Sequence, residues 1–152
     1  MKTIASFTVN HDTLKEGMYI SRIDGDITSF DLRTRTPNAG DYMSNLTMHS
    51  VEHLFAPFVR NSEIKDSVIY FGPMGCQTGF YLLTKDVPDE KVLEITMDIL
   101  GKIISYDGEM PGSSAVECGN YRNLNTDAAR LECAGYLEVL KNKVNDFKYR
   151  EA

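Results

Sequence analysis

The sequence predicts an α+β protein, an antiparallel sheet with helices packed against it. Two observations carry that prediction. Strand-like and helix-like segments follow one another in mixed order, and two strand-like runs flank a glycine-rich turn. The 152 residues hold no internal repeat and no linker that would divide them, so one domain over 1–152 is expected.

Each element has its own signal. Ser29 to Thr36 alternates apolar or small residues with charged ones, the pattern of a half-buried strand, and Pro37-Asn38-Ala39-Gly40 ends it. From Thr47 to Arg60 the period turns helical, with Val51, Leu54, Phe55 and Phe58 on one stripe. Pro57 lacks the N–H that would face the His53 carbonyl, so a kink or an early end is expected just past His53. Val68–Phe71 and Phe80–Leu83 read as strands joined by Gly72-Pro73-Met74-Gly75-Cys76-Gln77-Thr78-Gly79, where the glycines are expected to supply positive φ angles. Pro88 opens a helix with Asp89 and Glu90 in its first turn and Val92, Ile95, Ile99 and Ile103 inward. Tyr106 to Asn123 reads as a loop holding Cys118. Asn125 or Thr126 caps a last helix, with Leu131, Ala134, Leu137, Leu140 and Val144 expected inward.

Composition narrows the function. The chain is 42% hydrophobic and 25% charged, which excludes a disordered or low-complexity protein. Its formal charge is −6 with no basic run, which argues against a nucleic-acid partner. No stretch is apolar enough to span a membrane, and the first residues lack the apolar core of an export signal, so a cytoplasmic protein is expected.

The scarce residues carry the chemistry. The histidines are His11, His49 and His53, and the cysteines are Cys76, Cys118 and Cys133. An odd cysteine count without an export signal argues against a disulfide framework. His49-Ser50-Val51-Glu52-His53 places two imidazoles at i and i+4, on one helix face, where they can share a divalent ion. Glu52 stands near that face, placed to move protons beside the ion. The spacing is the H-x-x-E-H of inverted zinc peptidases. Cys118 is a reasonable third ligand, with Glu117 beside it as an alternative. Cys76 or Cys133 would be a fourth in a closed structural site. Cys76, on a tight turn, reads as an accessible thiol able to act as base or nucleophile. Cys133, inside a helical pattern, reads as structural.

Three segments then match a known family in order and spacing. His49-Ser50-Val51-Glu52-His53, Gly72-Pro73-Met74-Gly75-Cys76-Gln77-Thr78-Gly79-Phe80-Tyr81 and Glu117-Cys118-Gly119-Asn120 resemble the LuxS family of S-ribosylhomocysteine lyases. Ser6-Phe7 followed by His11, and Phe30-Asp31-Leu32-Arg33 before Pro37-Asn38, are similar to it as well. The resemblance implies an α+β homodimer, related in fold to the inverted zinc peptidases, with active sites at the subunit interface. It implies cleavage of the thioether of S-ribosylhomocysteine to homocysteine and 4,5-dihydroxy-2,3-pentanedione, the precursor of autoinducer-2, by carbonyl migration and β-elimination. It further implies His49, His53 and Cys118 as ligands of one divalent metal, Fe2+ natively with Zn2+ or Co2+ as substitutes. Cys76 and Glu52 become the acid/base pair, and Ser6, His11 and Arg33 line the substrate pocket. Ser50, Pro57 and Tyr70-Phe71-Gly72 depart from the family pattern. The residues alone leave two other readings open, a metallopeptidase-like hydrolase and a non-catalytic metal-binding protein.

Overall fold

A computed structural model describes residues 1–150. Strands β1 (Gly17–Asp24), β2 (Ile27–Arg33), β3 (Val68–Pro73) and β4 (Gly79–Lys85) form one antiparallel sheet in the order β1-β2-β4-β3. Helices α1 (Asn45–Arg60), α2 (Asp89–Ile104) and α3 (Thr126–Lys141) are the α-helices among the described residues, so the α+β expectation holds with an antiparallel sheet. No helix among them is long and apolar enough to cross a membrane.

The pleat of the two central strands sorts the molecule into two sides. Phe30 and Leu32 of β2 pair with Leu82 and Phe80 of β4, and all four are buried in the core beneath the helices. Their neighbours Asp31, Arg33 and Tyr81 therefore point to the opposite face, which the short 3-10 helix Ala5–Phe7 borders and none of the three α-helices covers. Helix α1 is fastened to the core side by stacked rings: Phe55 lies 4.2 Å from Phe71, and Phe71 lies 5.2 Å from Phe80.

Several elements differ from expectation for identifiable reasons. Strand β2 stops at Arg33 because the N–H groups of Thr34 and Arg35 both donate to the Thr78 carbonyl, which bends the chain around the β3–β4 turn. β1 carried no signal: it is an edge strand whose outer half, Arg22-Ile23-Asp24, is exposed, and a bulge between Ile20 and Arg22 breaks its alternation. In the turn, the positive φ falls on Gln77 (66°) and on none of the glycines. Gly79 is needed for another reason. A Cβ there would stand 2.6 Å from the Leu32 carbonyl oxygen, so only glycine lets β4 pass the end of β2.

Helix α1 starts at Ser44, whose hydroxyl accepts from the Thr47 N–H. It continues through Pro57 to Arg60, against the expected break past His53. Val51, Leu54, Phe55 and Val59 are all buried, and packing on both sides of the proline overrides the lost hydrogen bond. Helix α2 follows expectation, with Pro88 as its cap and Val92, Ile95, Ile99 and Ile103 buried. Asn125 caps α3 through the Ala128 N–H. Its inward face is Ala129, Glu132, Cys133, Tyr136, Leu137 and Leu140. Leu137 and Leu140 are buried as expected, but Leu131 is 78% exposed and Val144, beyond the helix end, 91%, and Ala129, Glu132, Cys133 and Tyr136 complete the inward face in their place. Buried Glu132 accepts a bidentate pair from Arg35 and so anchors the connection between β2 and α1.

Two stability outcomes follow. Pro57→Ala restores an N–H opposite the His53 carbonyl and is expected to stabilise the fold by roughly 1–3 kcal/mol, read as a higher denaturant midpoint. Burial, with the Glu132 charge adding to it, pushes the Cys133 thiol up to about 12. Its unfolded value is 9.0, so its contribution to stability is complete below about pH 9 and is lost as pH rises toward about 12. Stability should fall over that window, and Cys133→Ala should flatten the fall; an unchanged slope in the variant would contradict this assignment.

Candidate active site

The helix side of the sheet carries a group of three ligands. One donor atom each from His49, His53 and Cys118 lies within 4.8 Å of the others. The two rings are 4.5 Å apart, neighbours because i and i+4 share one face of α1, and they lie nearly perpendicular. His49 Nδ1 is 2.8 Å from the Asn123 carbonyl, and His53 Nδ1 is 2.8 Å from the Pro111 carbonyl. A carbonyl only accepts, so each Nδ1 carries the proton and donates it. Each Nε2 keeps its lone pair for a ligand. Cys118 Sγ stands 3.5 Å from His49 Nε2 and accepts from the Asn120 N–H. Two imidazoles and a thiol at these separations fit a tetrahedral divalent ion with a position left for another ligand.

The loop between α2 and α3 is tailored to hold this group. Gly112 adopts a φ of +68°, and a Cβ there would come within 3.1 Å of the His53 ring. Glycine therefore lets the backbone close on the imidazole that Pro111 orients. The Ser50 hydroxyl donates to the Leu46 carbonyl and accepts from the Asn125 N–H, tying the end of the loop to α1. Glu52 lines a cleft of about 280 Å³ with His53, Pro57, Phe71, Pro111 and Gly112. Glu117 lies outside the ligand group, and its carboxylate accepts from the Ser114 hydroxyl at 2.6 Å. Cys133 is in the core and Cys76 is elsewhere on the chain, so neither closes the group.

The side opposite the α-helices carries a second cleft, of about 390 Å³. Its lining brings together Ser6, His11, Arg33 and Cys76 with Asp31, Tyr81 and Tyr149. His11 Nδ1 donates to the Val9 carbonyl at 2.9 Å, which leaves Nε2 as an acceptor. Cys76 is exposed at its turn. Arg33 is 3% exposed, and its side chain is almost fully engaged by protein. Nε and Nη2 donate to Asp31, while Nη1 donates to Thr78 Oγ1 and stands 3.8 Å from Cys76 Sγ. Burial works against the guanidinium charge, but the hydrogen bonds and charge of Asp31 outweigh it, and the pKa of Arg33 is raised. Burial and the Asp31 charge push the phenols of Tyr81 and Tyr149 upward as well.

The expected site residues thus fall into two groups. His49, Glu52, His53 and Cys118 lie on the helix side. Ser6, His11, Arg33 and Cys76 lie on the other, and no residue lines both clefts. At and beside the second cleft stand uncovered apolar groups: Phe7 lines it, and Ile4 and Tyr70 line the adjoining groove that shares Ser6, Ser21 and Tyr81 with it, all three exposed. Sequence reasoning missed Pro111 and Asn123, which act through main-chain carbonyls that any residue possesses. It also missed Asp31 and Thr78, whose roles appear only once Arg33 is placed beside them.

Known proteins resemble the chain over nearly its whole length. The family model described as S-ribosylhomocysteinase (LuxS) matches residues 4–147. A Finegoldia magna protein named S-ribosylhomocysteine lyase is 44% identical over 147 aligned positions, covering 93% of this chain and 94% of that protein. A Borreliella burgdorferi protein of the same name is 38% identical over 156 positions, covering 98% and 99%. One from Clostridium acetobutylicum is 41% identical over 152, covering 96% of each. On the family match and these identities together, the chain belongs to the LuxS family of S-ribosylhomocysteinases.

Proposed function

We propose that the chain is a metal-dependent S-ribosylhomocysteine lyase that works as a homodimer, with the Cys76 cleft of one copy facing the ligand group of the other. It would release homocysteine and 4,5-dihydroxy-2,3-pentanedione. The observation that carries the reading is the convergence of His49, His53 and Cys118 within 4.8 Å in a member of this family. Residues 1–152 are taken as one lyase domain at work in the cytoplasm. Fe2+ is the proposed ion, and a donor set of two imidazole nitrogens and one sulfur also suits Zn2+ or Co2+. The dimer reading is supported by the placement of the two clefts on opposite sides of one sheet and by the exposed apolar residues around the second.

The reaction sets the tasks. The open-chain sugar has its carbonyl at C1, which must move to C2 and then C3. Removal of the C4 proton then expels the C5 sulfur. When bound, the divalent ion supplies Lewis acidity to the oxygen beside the carbon that loses a proton. Cys76 Sγ takes a proton from one carbon and returns it to the next. Arg33 places its charge 3.8 Å from that sulfur, where a proton is given up and regained. Glu52, next to the ligands, exchanges the oxygen-bound protons that accompany each migration. Ser6 and His11 offer a hydroxyl and a free Nε2 to the substrate's polar groups.

The hydrolase alternative wants a carboxylate third ligand, and Glu117 is held away by Ser114. The anaerobically prepared, metal-loaded protein should release free thiol from S-ribosylhomocysteine. Cys76→Ala should lower the rate by at least about 10²-fold while retaining metal. Cys118→Ala should lose the metal, and Glu117→Ala should keep it. No thiol release from fully loaded protein would overturn the lyase proposal.

A further inference from the structure

Asp31 is 1% exposed, and its carboxylate carries three hydrogen bonds. Arg33 Nε donates to Oδ1 at 3.0 Å and Arg33 Nη2 to Oδ2 at 2.7 Å. The third donor is the Tyr149 hydroxyl, at 2.7 Å from Oδ2. From the other side of the guanidinium, Nη1 donates to Thr78 Oγ1 at 2.8 Å. The Thr78 hydroxyl accepts that bond, so its own hydrogen is free for Cys76 Sγ, 3.1 Å away. A continuous run of hydrogen bonds therefore joins Tyr149 to the sulfur through Asp31, Arg33 and Thr78.

Tyr149 lies in the segment after α3, two positions past the stretch 4–147 that the family model matches. The segment is fixed where Phe147 accepts from the Ile20 N–H at 2.8 Å and sets its ring edge-on to Phe30. The Tyr149 ring then stacks on Tyr19, with centroids 5.0 Å apart, and lines the Cys76 cleft. The titratable and charged groups lining that cleft beside the thiol are His11, Asp31, Arg33, Tyr81 and Tyr149.

We propose that Tyr149 is a positioning residue for Cys76. Its hydroxyl fixes the Asp31 carboxylate, and through it the Arg33 guanidinium that faces the sulfur, while its ring closes one side of the cleft. The inference rests on the lyase reading for its kinetic consequence and on geometry alone for its effect on the thiol. Without the phenol, Asp31 is held by Arg33 only, and the pair keeps a single anchor, the Arg33 bond to Thr78. Small misplacements of such a group are felt strongly in rate.

The test uses the full-length, metal-loaded protein with Tyr149→Phe and Tyr149→Ala. Cys76 reactivity is read as the rate of iodoacetamide alkylation at neutral pH, taken as the difference from Cys76→Ala, which retains the other two thiols. Tyr149→Phe should slow that alkylation about 3- to 10-fold and lower kcat for homocysteine release to a similar degree, with KM within about twofold. Its melting temperature should stay within about 4 °C of wild type. Tyr149→Ala should raise KM in addition, because the wall is lost. Wild-type alkylation and kcat in Tyr149→Phe would overturn the proposal and leave Tyr149 as wall alone. Absence of turnover in the wild type would fail the lyase reading, while the alkylation comparison would still decide the role of Tyr149.

Discussion

A strand sends successive side chains to opposite faces of its sheet, and β2 uses this to carry two incompatible environments in four residues. Phe30 and Leu32 fill the core, while Asp31 and Arg33 form a buried ion pair on the other side. A slip of one residue would put the ion pair under the helices and the apolar pair into the polar cleft, so the register is strongly specified. Breaking the pair by removing one partner would leave an uncompensated buried charge, at a cost of several kcal/mol. The β3–β4 turn is built around the same place. Thr78 accepts from Arg33 through its hydroxyl and from Thr34 and Arg35 through its carbonyl, which holds Cys76 beside the guanidinium.

The same pleat separates the chemistry. Helix α1 must lie on the apolar side, so its histidines belong to that side too. Their orientation is set by the Asn123 and Pro111 carbonyls, which fix both tautomers before any ion arrives. A thiol backed by a cation and a group of metal ligands, two parts of one proposed reaction, thus occupy opposite sides of a thin sheet. Two copies arranged so that the open face of each meets the ligand group of the other would bring them together.

Much of this was legible in the residues. The His pair shares a helix face because its spacing is four, and Cys118 reaches it because the intervening loop is long and glycine-bearing. The central strands, α2 and the caps at Asn125 and Pro88 follow from local chemistry. What was hidden depends on tertiary contacts. β1 is an edge strand with a bulge, α3 turns a face containing a charged Glu132 inward because Arg35 meets it there, and α1 survives Pro57 because buried residues hold both flanks. The turn's positive φ rests on Gln77, whose side-chain amide donates to the Met43 carbonyl and whose own carbonyl accepts from the Met43 N–H. Carbonyl partners such as Pro111 have no residue signature at all.

The proposed site built from two chains is open to a subunit-mixing test. Cys76→Ala and Cys118→Ala proteins, each inactive alone, would be unfolded together, refolded with metal and assayed for thiol release. Random pairing makes half the dimers mixed, and each mixed dimer rebuilds one of its two sites, so activity should return to about a quarter of wild type. Activity that stays absent, with mixed dimers demonstrably formed, would contradict the account and place both half-sites within one chain.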